Sequence, residues 1–462
     1  MLQTMATLER LSLADLTNLA IESRDTPMHQ AAFAVMDTVR LDELRRHVES
    51  RLDRVPELRR VLRKTRAPEG GPLWIDDAAF RIEDHVHAAT LPAPGGQAEA
   101  LRFVEARMTE VMDRSRPLWE MWLLEGYGPR RVGLLIKLHH ALADGPAMVN
   151  VVGRIFDLGP DEATDPPAPW RPAPSPTAGR LVRDNIQLWA GGFRRVGRRL
   201  LHPLRLVRAA ATNCRGAVEA TRRGWDAPRT SLNRPVGFGR RIAVVRLSLA
   251  EAKAVAHQAG VKLNDVFLCL VAGGLRRLMV SRGEDLDCAP LRASVAVSLH
   301  PSDDGVTVGN LVGTVVVPLP LERLETASML ARIAAASTLA KSRQRAVVTS
   351  GLMVFLAKTG FTRWYIRRQH LINVLTTNLP GPPAALYLAG ARLEDAIAIP
   401  PIAGNVTVSF AALSYAGTLN LSVVADAASW PDLDVLVEGM HTSWRELAST
   451  VTPLQGHTRL TA

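Results

Sequence analysis

The chain has 462 residues, a length that favours two or three domains with well-filled cores over a single compact one. Hydrophobic residues make up 47% and charged residues 22%, a composition that argues against wholesale disorder. The three cysteines are odd in number and far apart, which argues against a disulfide framework or a zinc cluster. The net charge of +11 is explained either by an anionic partner or simply by good solubility.

The amino-terminal residues 1–29 lack the cationic start and continuous apolar core of a secretory signal, so a cytoplasmic protein is expected. The longest uncharged stretch, 396–425, could span a bilayer by length alone. Its prolines, asparagines and alternating polar residues predict strands instead, and we expect no transmembrane helix.

The first part of the chain predicts mixed α/β structure. Residues 100–113 have helical spacing, WEMWLLEGY and RVGLLIKL have the pattern of strands, and PAMVNVVGRIFDL predicts a helix with Pro146 in its first turn. The proline-rich stretch 159–180 that follows indicates an extended, semi-rigid linker.

A basic segment follows the linker. Its excess of arginine comprises Arg194, Arg195, Arg198, Arg199, Arg205, Arg208 and Arg215. Such a segment is most simply a solvated face. The next alternative is contact with an anionic membrane, because leucine and valine, not base-stacking aromatics, lie between the arginines. A nucleic-acid partner is not expected.

The second part repeats the mixed character of the first. Helices are predicted at LNDVFLCLVAGGLRRLMV and ETASMLARIAAASTLAKSRQ, and strands at RRIAVVRLSL, RASVAVSL, TVVVPLPL, INVLTTNL, VTVSFAAL and TLNLSVVAD. We therefore predict an amino-terminal domain at 1–158, a linker and basic helical crossover at 159–235, and a carboxy-terminal domain at 236–462. Two such halves would leave a cleft or tunnel between them, where small-molecule sites are common.

The candidate catalytic residues are His139, His140, Asp144 and Gly145, in VGLLIKLHHALADGPAM. Alternation along a strand sends the two imidazoles to opposite faces, so that one can enter a cleft while its neighbour packs behind it. A neutral imidazole can accept a proton near pH 7, and a glycine after Asp144 lets the loop turn. The alternative is a packed histidine pair, with Asp144 favourable near the start of a helix.

The same His-x-x-x-Asp-Gly spacing recurs at His300, Asp304 and Gly305, but without a preceding histidine and within a polar turn. The sequence contains no G-x-S-x-G, C-x-x-C, H-E-x-x-H, G-x-G-x-x-G or P-loop motif. A serine hydrolase, a zinc enzyme and a nucleotide-driven motor thereby lose support, and no metal is expected.

HHALADG resembles the HHxxxDG signature of the CoA-dependent acyltransferase superfamily, which includes chloramphenicol acetyltransferase and the condensation domains of peptide synthetases. Four further segments resemble the bacterial wax ester synthase/acyl-CoA:diacylglycerol acyltransferase family, as does the opening LSLADLTNLAIESRDTPMH. They are RPLWEMWLLEG, NDVFLC, NLPGPP and LSYAGTLNL. The segments follow the family's order over nearly the whole chain.

This resemblance implies an α/β (α+β) fold of two chloramphenicol-acetyltransferase-like domains, each a mixed sheet with helices, around an interdomain tunnel. His140 would be the general base, Asp144 would hold the loop in shape, and Gly145 would permit its turn. Acyl-CoA would be a co-substrate with no bound cofactor, and the acceptor would be diacylglycerol or a long-chain alcohol. The protein would sit peripherally on the inner face of an anionic membrane or on lipid bodies.

The resemblance also nominates substrate-binding residues. They are Pro117, Leu118, Trp119, Asn264, Asp265 and Asn378. Core packing explains the first three equally well, and helix capping explains the asparagine–aspartate pair without chemistry.

The chain has His300 where the family usually has an arginine, which affects the expected lipid specificity or efficiency. Two alternatives stay open: a condensation-type enzyme that takes its acyl group from a carrier protein, and a non-catalytic lipid-surface protein.

Overall fold

A computed structural model of the chain describes residues 8–161, 169–200, 227–286, 290–298, 312–343 and 361–450. Its α-helices are α1 (Leu13–Ile21), α2 (Leu41–Arg51), α3 (Gln97–Arg107), α4 (Gly145–Ile155), α5 (Ala178–Leu200), α6 (Leu249–Gln258), α7 (Leu263–Ser281), α8 (Thr326–Arg343), α9 (Thr362–Ile366) and α10 (Leu433–Ser449). Its strands are β1 (His29–Asp37), β2 (Arg60–Arg63), β3 (Leu73–Asp76), β4 (Val86–Thr90), β5 (Trp119–Gly128), β6 (Arg131–His139), β7 (Arg240–Ser248), β8 (Leu291–Ser298), β9 (Val312–Leu319), β10 (Val374–Pro380), β11 (Tyr387–Leu388), β12 (Ala391–Ile399), β13 (Val408–Tyr415) and β14 (Thr418–Asp426).

The first large sheet has the strand order β11-β12-β1-β6-β5-β4. Its two outermost strands on one side come from the carboxy-terminal half of the chain, because β12 pairs antiparallel with β1, with Ala31 opposite Ile399. On the other side β1 pairs antiparallel with β6, with His29 opposite His139. The sheet that carries the histidine loop is therefore built from both halves of the sequence, and the two sheets do not divide the chain strictly at the predicted boundaries.

The second sheet has the order β7-β14-β13-β10-β8-β9 and is also mixed, since β10 runs parallel to both β13 and β8. Helices α7 and α10 pack together on it and, with the inward side chains of the sheet, form a core in which Phe267, Phe410 and Trp430 are almost wholly buried. Cys269 is buried in α7, whereas Cys214 and Cys288 lie outside the described residues. The predicted class, two α/β domains each with a mixed sheet, is confirmed.

Most of the predicted helices and strands lie where the sequence places them. The uncharged stretch 396–425 forms the end of β12 and the hairpin of β13 and β14, and within the described ranges no helix is both long enough and apolar enough to cross a membrane. The predicted helix at 100–113 is an exception, because α3 ends at Arg107. The hydroxyl of Thr109 donates to the carbonyl oxygen of Ala106 at 2.7 Å, and such a bond competes with continued helix.

The end of the proline-rich stretch packs on the first domain. The indole N–H of Trp170 donates to the carbonyl oxygen of Asp77 at 2.8 Å, and the guanidinium of Arg59 lies 4.6 Å from the Trp170 ring centroid. Helix α5, which contains the start of the basic segment, is tied to the same domain by an ion pair of 2.7 Å between Arg10 and Asp184. Arg205, Arg208 and Arg215 lie outside the described residues, as do His300, Asp304 and Gly305.

Candidate active site

The histidine motif forms the connection between β6 and α4, as predicted. Strand β6 ends at His139, and the backbone N–H of His140 still donates to the carbonyl oxygen of Met28 at 2.8 Å, so the loop begins at the edge of the β1–β6 ladder. His139 is fully buried, whereas His140 is half-buried and lines a cavity. The two imidazoles thus occupy different environments, as expected from their alternation.

The cavity has a volume of about 1350 Å³ and lies between the two sheets. Small side chains leave this space, because Ala32 and Ala398 stand opposite each other in the β1–β12 ladder and both line it, together with Ala396. Most of the wall is apolar. From the first sheet and its helices it includes Leu13, Met148, Val149, Val152 and Leu393, and from the second Leu375, Leu379, Phe410 and Leu413. Such a wall suits an apolar ligand.

The environment of His140 keeps its imidazole neutral. Burial lowers the pKa of His140 below its ordinary value of 6.5, against the opposing effects of a hydrogen bond to its own backbone carbonyl and of the carboxylates of Asp144 and Asp15. The side-chain Nδ2 of Asn18, in α1, lies 3.2 Å from the His140 carbonyl oxygen and 3.3 Å from its Nδ1. A neutral imidazole beside a cavity is equipped to accept a proton.

His139 supports the loop from behind. Its Nδ1 accepts the backbone N–H of Ala141 at 2.9 Å, which leaves the proton of the neutral ring on Nε2, facing the Glu22 carboxylate at 3.1 Å. Glu22 also binds the guanidinium of Arg114 at 2.7 Å. Burial alone would raise the pKa of Glu22, but the hydrogen bonds from His139 and Arg114 outweigh it and lower the pKa from 4.5 to about 2. His139 does not line the cavity, so the structure gives it a supporting position.

Among the described residues, one group of side chains has the spacing of a metal site: Glu22, His29 and His139, whose ligand atoms lie within 4.8 Å of one another. Its chemistry fits a metal poorly. The Nε2 of His29 is already within 3.0 Å of the carbonyl oxygen of Glu110, to which the ammonium of Lys137 donates at 2.9 Å. Arg114, which binds the Glu22 carboxylate, and the nearby Lys137 already supply the positive charge that a metal ion would bring to this group.

Asp144 and Gly145 shape the start of α4. The Asp144 carboxylate accepts the backbone N–H of Ala147 at 2.8 Å and so caps the helix. The expectation that Gly145 permits a turn is wrong, because its backbone does not adopt a positive φ. A Cβ at Gly145 would instead lie 3.2 Å from Cδ2 of Leu379, on β10 of the second sheet. The glycine therefore allows the histidine loop to approach the opposite wall of the cavity.

Pro117, Leu118 and Trp119 do not line the cavity. Leu118 and Trp119 are almost completely buried, the Trp119 indole N–H donates to the carbonyl oxygen of Leu58 at 2.7 Å, and its ring stacks on His85 at 4.6 Å between centroids. These contacts correspond to the core-packing alternative, and they fix the β5 strand beside β6.

Asn264, Asp265 and Asn378 join α7 to β10. Asp265 accepts the backbone N–H of Lys262 at 3.1 Å, the capping role that the sequence indicated, and Nδ2 of Asn378 lies 3.4 Å from Oδ1 of Asn264. None of the three is among the residues that line the cavity, although Thr377 and Leu379, on either side of Asn378, are. Their place is behind the cavity wall.

Several residues that build the site carried no signal of their own in the sequence. They are Asn18, Glu22, Arg114, Gln30, Ala32, Ala396 and Ala398. The side chain of Gln30 donates to the carbonyl oxygen of Ala143 at 2.5 Å and so braces the histidine loop from β1. The first two lie in the opening segment, where the resemblance to a family was visible but the contact with the histidine loop was not.

Solved structures share this architecture. The wax ester synthase/diacylglycerol acyltransferase from Marinobacter aquaeolei VT8 is 24% identical, with a TM-score of 0.68, and the match covers 96% of this chain and all of that one. The starter condensation domain of rhizomide synthetase, solved with C8-CoA and Leu-SNAC, is 15% identical, with a TM-score of 0.61, over 96% of this chain and 94% of that one. The chain therefore shares its fold with both of these proteins.

Sequence comparison narrows the assignment. Residues 11–267 match the model of the wax ester synthase/diacylglycerol acyltransferase catalytic domain, and residues 308–448 match the carboxy-terminal domain of the same family. Two Mycobacterium tuberculosis proteins, provisionally named diacylglycerol O-acyltransferases, are 30% and 31% identical, covering 96% and 94% of this chain and 90% and 97% of their own. The protein is an acyltransferase. It belongs to the wax ester synthase/diacylglycerol acyltransferase family.

Proposed function

We propose that the protein transfers a fatty acyl group from acyl-CoA to the hydroxyl of diacylglycerol or of a long-chain alcohol, with His140 as the general base. The observation that carries this proposal is a neutral imidazole on the wall of a mostly apolar cavity of about 1350 Å³ between the two sheets. The names of the relatives support diacylglycerol as acceptor, and the structural neighbour solved with C8-CoA supports a CoA thioester as donor.

In this reaction His140 accepts the proton of the acceptor hydroxyl while that oxygen attacks the thioester carbonyl. The tetrahedral intermediate then collapses, so that an acyl–oxygen bond forms and the acyl–sulfur bond breaks. The proton passes from His140 to the departing CoA sulfur, and the imidazole returns to its neutral form. No covalent acyl-enzyme is required, because holding both substrates beside one base supplies the proximity.

The proposal includes docking on an anionic lipid surface by one side of α5. Ile186 and Trp189, one turn apart on this helix, are 61% and 64% exposed, and the exposed Arg183 and Arg194 flank them. The opposite side of the helix is held to the first domain through Asp184. An apolar stripe bordered by arginines suits the interface of an anionic bilayer, which is also where both proposed substrates dissolve.

The experiment that tests the reaction uses purified protein with radiolabelled palmitoyl-CoA and either dioleoylglycerol or hexadecanol, followed by separation of the neutral lipids. Wild type should form triacylglycerol or wax ester, and His140→Ala should lose at least about a hundredfold in rate. His257→Ala, at an exposed histidine of α6, is the matched control and should retain activity. If the folded wild type forms neither ester, the proposal fails. Transfer from a palmitoylated carrier protein alone would establish the condensation-type alternative.

Docking is tested by flotation with phosphatidylglycerol or phosphatidylcholine vesicles. The paired change Ile186→Ser and Trp189→Ser should abolish binding to the anionic vesicles, while Val280→Ser, at a valine of α7 that is 58% exposed, should not alter it. Equal binding of the double variant and wild type would refute docking through α5.

A further inference from the structure

The carboxylate of Glu22 lies behind the histidine loop, where it accepts four hydrogen bonds. Its Oε1 accepts the ring Nε2–H of His139 at 3.1 Å and the backbone N–H of Met28 at 3.3 Å. Its Oε2 accepts both the Nε–H and the Nη2–H of Arg114, at 3.1 and 2.7 Å. The side chain is only 2% exposed. Four donors thus converge on two buried oxygen atoms, an arrangement that a carboxylate satisfies and an amide does not.

The backbone of Glu22 is held from both halves of the chain. Its N–H donates to the carbonyl oxygen of Asn18 at 3.2 Å, where α1 ends. Its carbonyl oxygen accepts the guanidinium N–H of Arg363, in α9, at 2.8 Å. The carboxylate therefore has a fixed place from which it acts on its neighbours.

His139 links this carboxylate to the backbone of the histidine loop. The backbone N–H of Ala141 points at Nδ1 of His139 at 2.9 Å, and because a backbone N–H can only donate, Nδ1 carries no proton. This N–H belongs to the peptide group that follows His140, so the bond fixes the backbone from which the His140 ring projects. If the ring proton moved to Nδ1, two N–H groups would face each other and the bond would be lost.

We propose that Glu22 is a positioning residue for acyl transfer: it holds the proton of His139 on Nε2, so that Nδ1 binds the Ala141 N–H and fixes the loop that carries His140. This inference rests on the proposed role of His140 as base. Glu22 does not line the cavity and acts through His139. The ring of His29 stands edge-on to that of His139, with 5.5 Å between centroids, and its Nε2 is 3.9 Å from Oε1 of Glu22, too far for a hydrogen bond. Among the described residues, Glu22 is the acceptor for Nε2 of His139.

Two variants separate positioning from mere packing. Glu22→Gln keeps the shape but offers one oxygen to the same four donors, and the charged Arg114 competes best for it. The amide NH₂ then faces Nε2 of His139 and favours the Nδ1–H tautomer, so kcat should fall about tenfold with little change in KM. Adding Arg114→Met removes the competitor, which lets the amide oxygen return to His139 and should restore most of the lost kcat. Glu99→Gln is the matched control, since this glutamate of α3 is buried and pairs with Arg102 at 3.2 Å.

A second measurement does not need turnover. Imidazole ¹⁵N spectra, with the His139 signals identified by their loss in His139→Gln, report which ring nitrogen carries the proton. We expect Nε2–H in wild type, in Glu99→Gln and in the double variant Glu22→Gln/Arg114→Met, and a mixture that includes Nδ1–H in Glu22→Gln. The wild-type spectrum tests the proposal even if a variant fails to fold.

A wild-type His139 that carries its proton on Nδ1 would refute the positioning role. So would a tautomer or a kcat that Glu22→Gln leaves unchanged, or a double variant no more active than Glu22→Gln. If the wild type transfers no acyl group but the tautomer changes as expected, the action of Glu22 on the loop stands and the proposed reaction fails.

Discussion

Replacing Ala396 with leucine should shorten the acyl chain that the enzyme accepts. Ala396 lies on β12, lines the cavity and is 7% exposed, and it stands between Ala398 near the histidine loop and Leu393 farther along the wall. Leucine adds three carbon atoms in the space of a bound chain. At ~0.8 kcal/mol for each displaced methylene, the loss is about 2.4 kcal/mol, or roughly 50-fold in kcat/KM.

The assay compares kcat/KM for palmitoyl-CoA and octanoyl-CoA with one acceptor, so that the short donor serves as the internal control. Ala396→Leu should lower the ratio of the two values roughly 50-fold, and Ala396→Val, which adds two carbons, should lower it about 15-fold. Melting temperatures show whether both variants are folded. An unchanged ratio, or an equal loss with both donors, would refute the placement of the acyl chain along β12.

Three further outcomes follow from the same geometry. Because burial lowers the pKa of His140 and the base works only when neutral, kcat/KM should be level near pH 7 and decline only below 6.5; a midpoint above 6.5 would contradict this. Folding lowers the pKa of Glu22 from 4.5 to about 2, so this carboxylate stabilises the fold by about 3 kcal/mol above pH 4.5, and the stabilisation is lost as the pH falls towards 2. The difference in the free energy of unfolding between wild type and Glu22→Gln, measured with urea, should therefore shrink by about half from pH 6 to pH 3. A difference that stays constant over this range would count against the prediction. Gly145→Val should press on Leu379, destabilise the fold by about 1–3 kcal/mol and lower kcat. Gly145→Ala should do little, because its single methyl group meets only the end of the Leu379 side chain, at 3.2 Å. A melting temperature and kcat of Gly145→Val equal to those of wild type would exclude the contact.

The parts of the site that the sequence predicted are those with local signals. An apolar run that ends in His139 and His140, followed by Asp144, Gly145 and a proline, predicts a strand, a loop and a helix, and the structure has β6 and α4 at those places. The helix that begins beside Asn264 could likewise be predicted from its apolar periodicity alone.

The remainder depends on contacts between distant segments. Glu22 lies 117 positions from His139, and nothing near either residue indicates that they pair. The start of β12 was not predicted as a strand, and the alternation noted from residue 396 onward did not indicate that this strand joins β1 in the first sheet, because alternation of side chains specifies a buried face without specifying the neighbouring strand. The role of Gly145 was misassigned for the same reason, since Leu379 comes from the other sheet.

The pairing of β1 with β12 has a consequence for how the chain acquires its structure. During synthesis the edge of β1 stays open until residues 391–399 have left the ribosome, and long-range pairings of this kind form slowly. An open, apolar edge is a site of aggregation, so the nascent amino-terminal half should need a chaperone or a rapid completion of translation. A product truncated before β11 would still contain the histidine motif but would lack the wall that Ala396 and Ala398 provide.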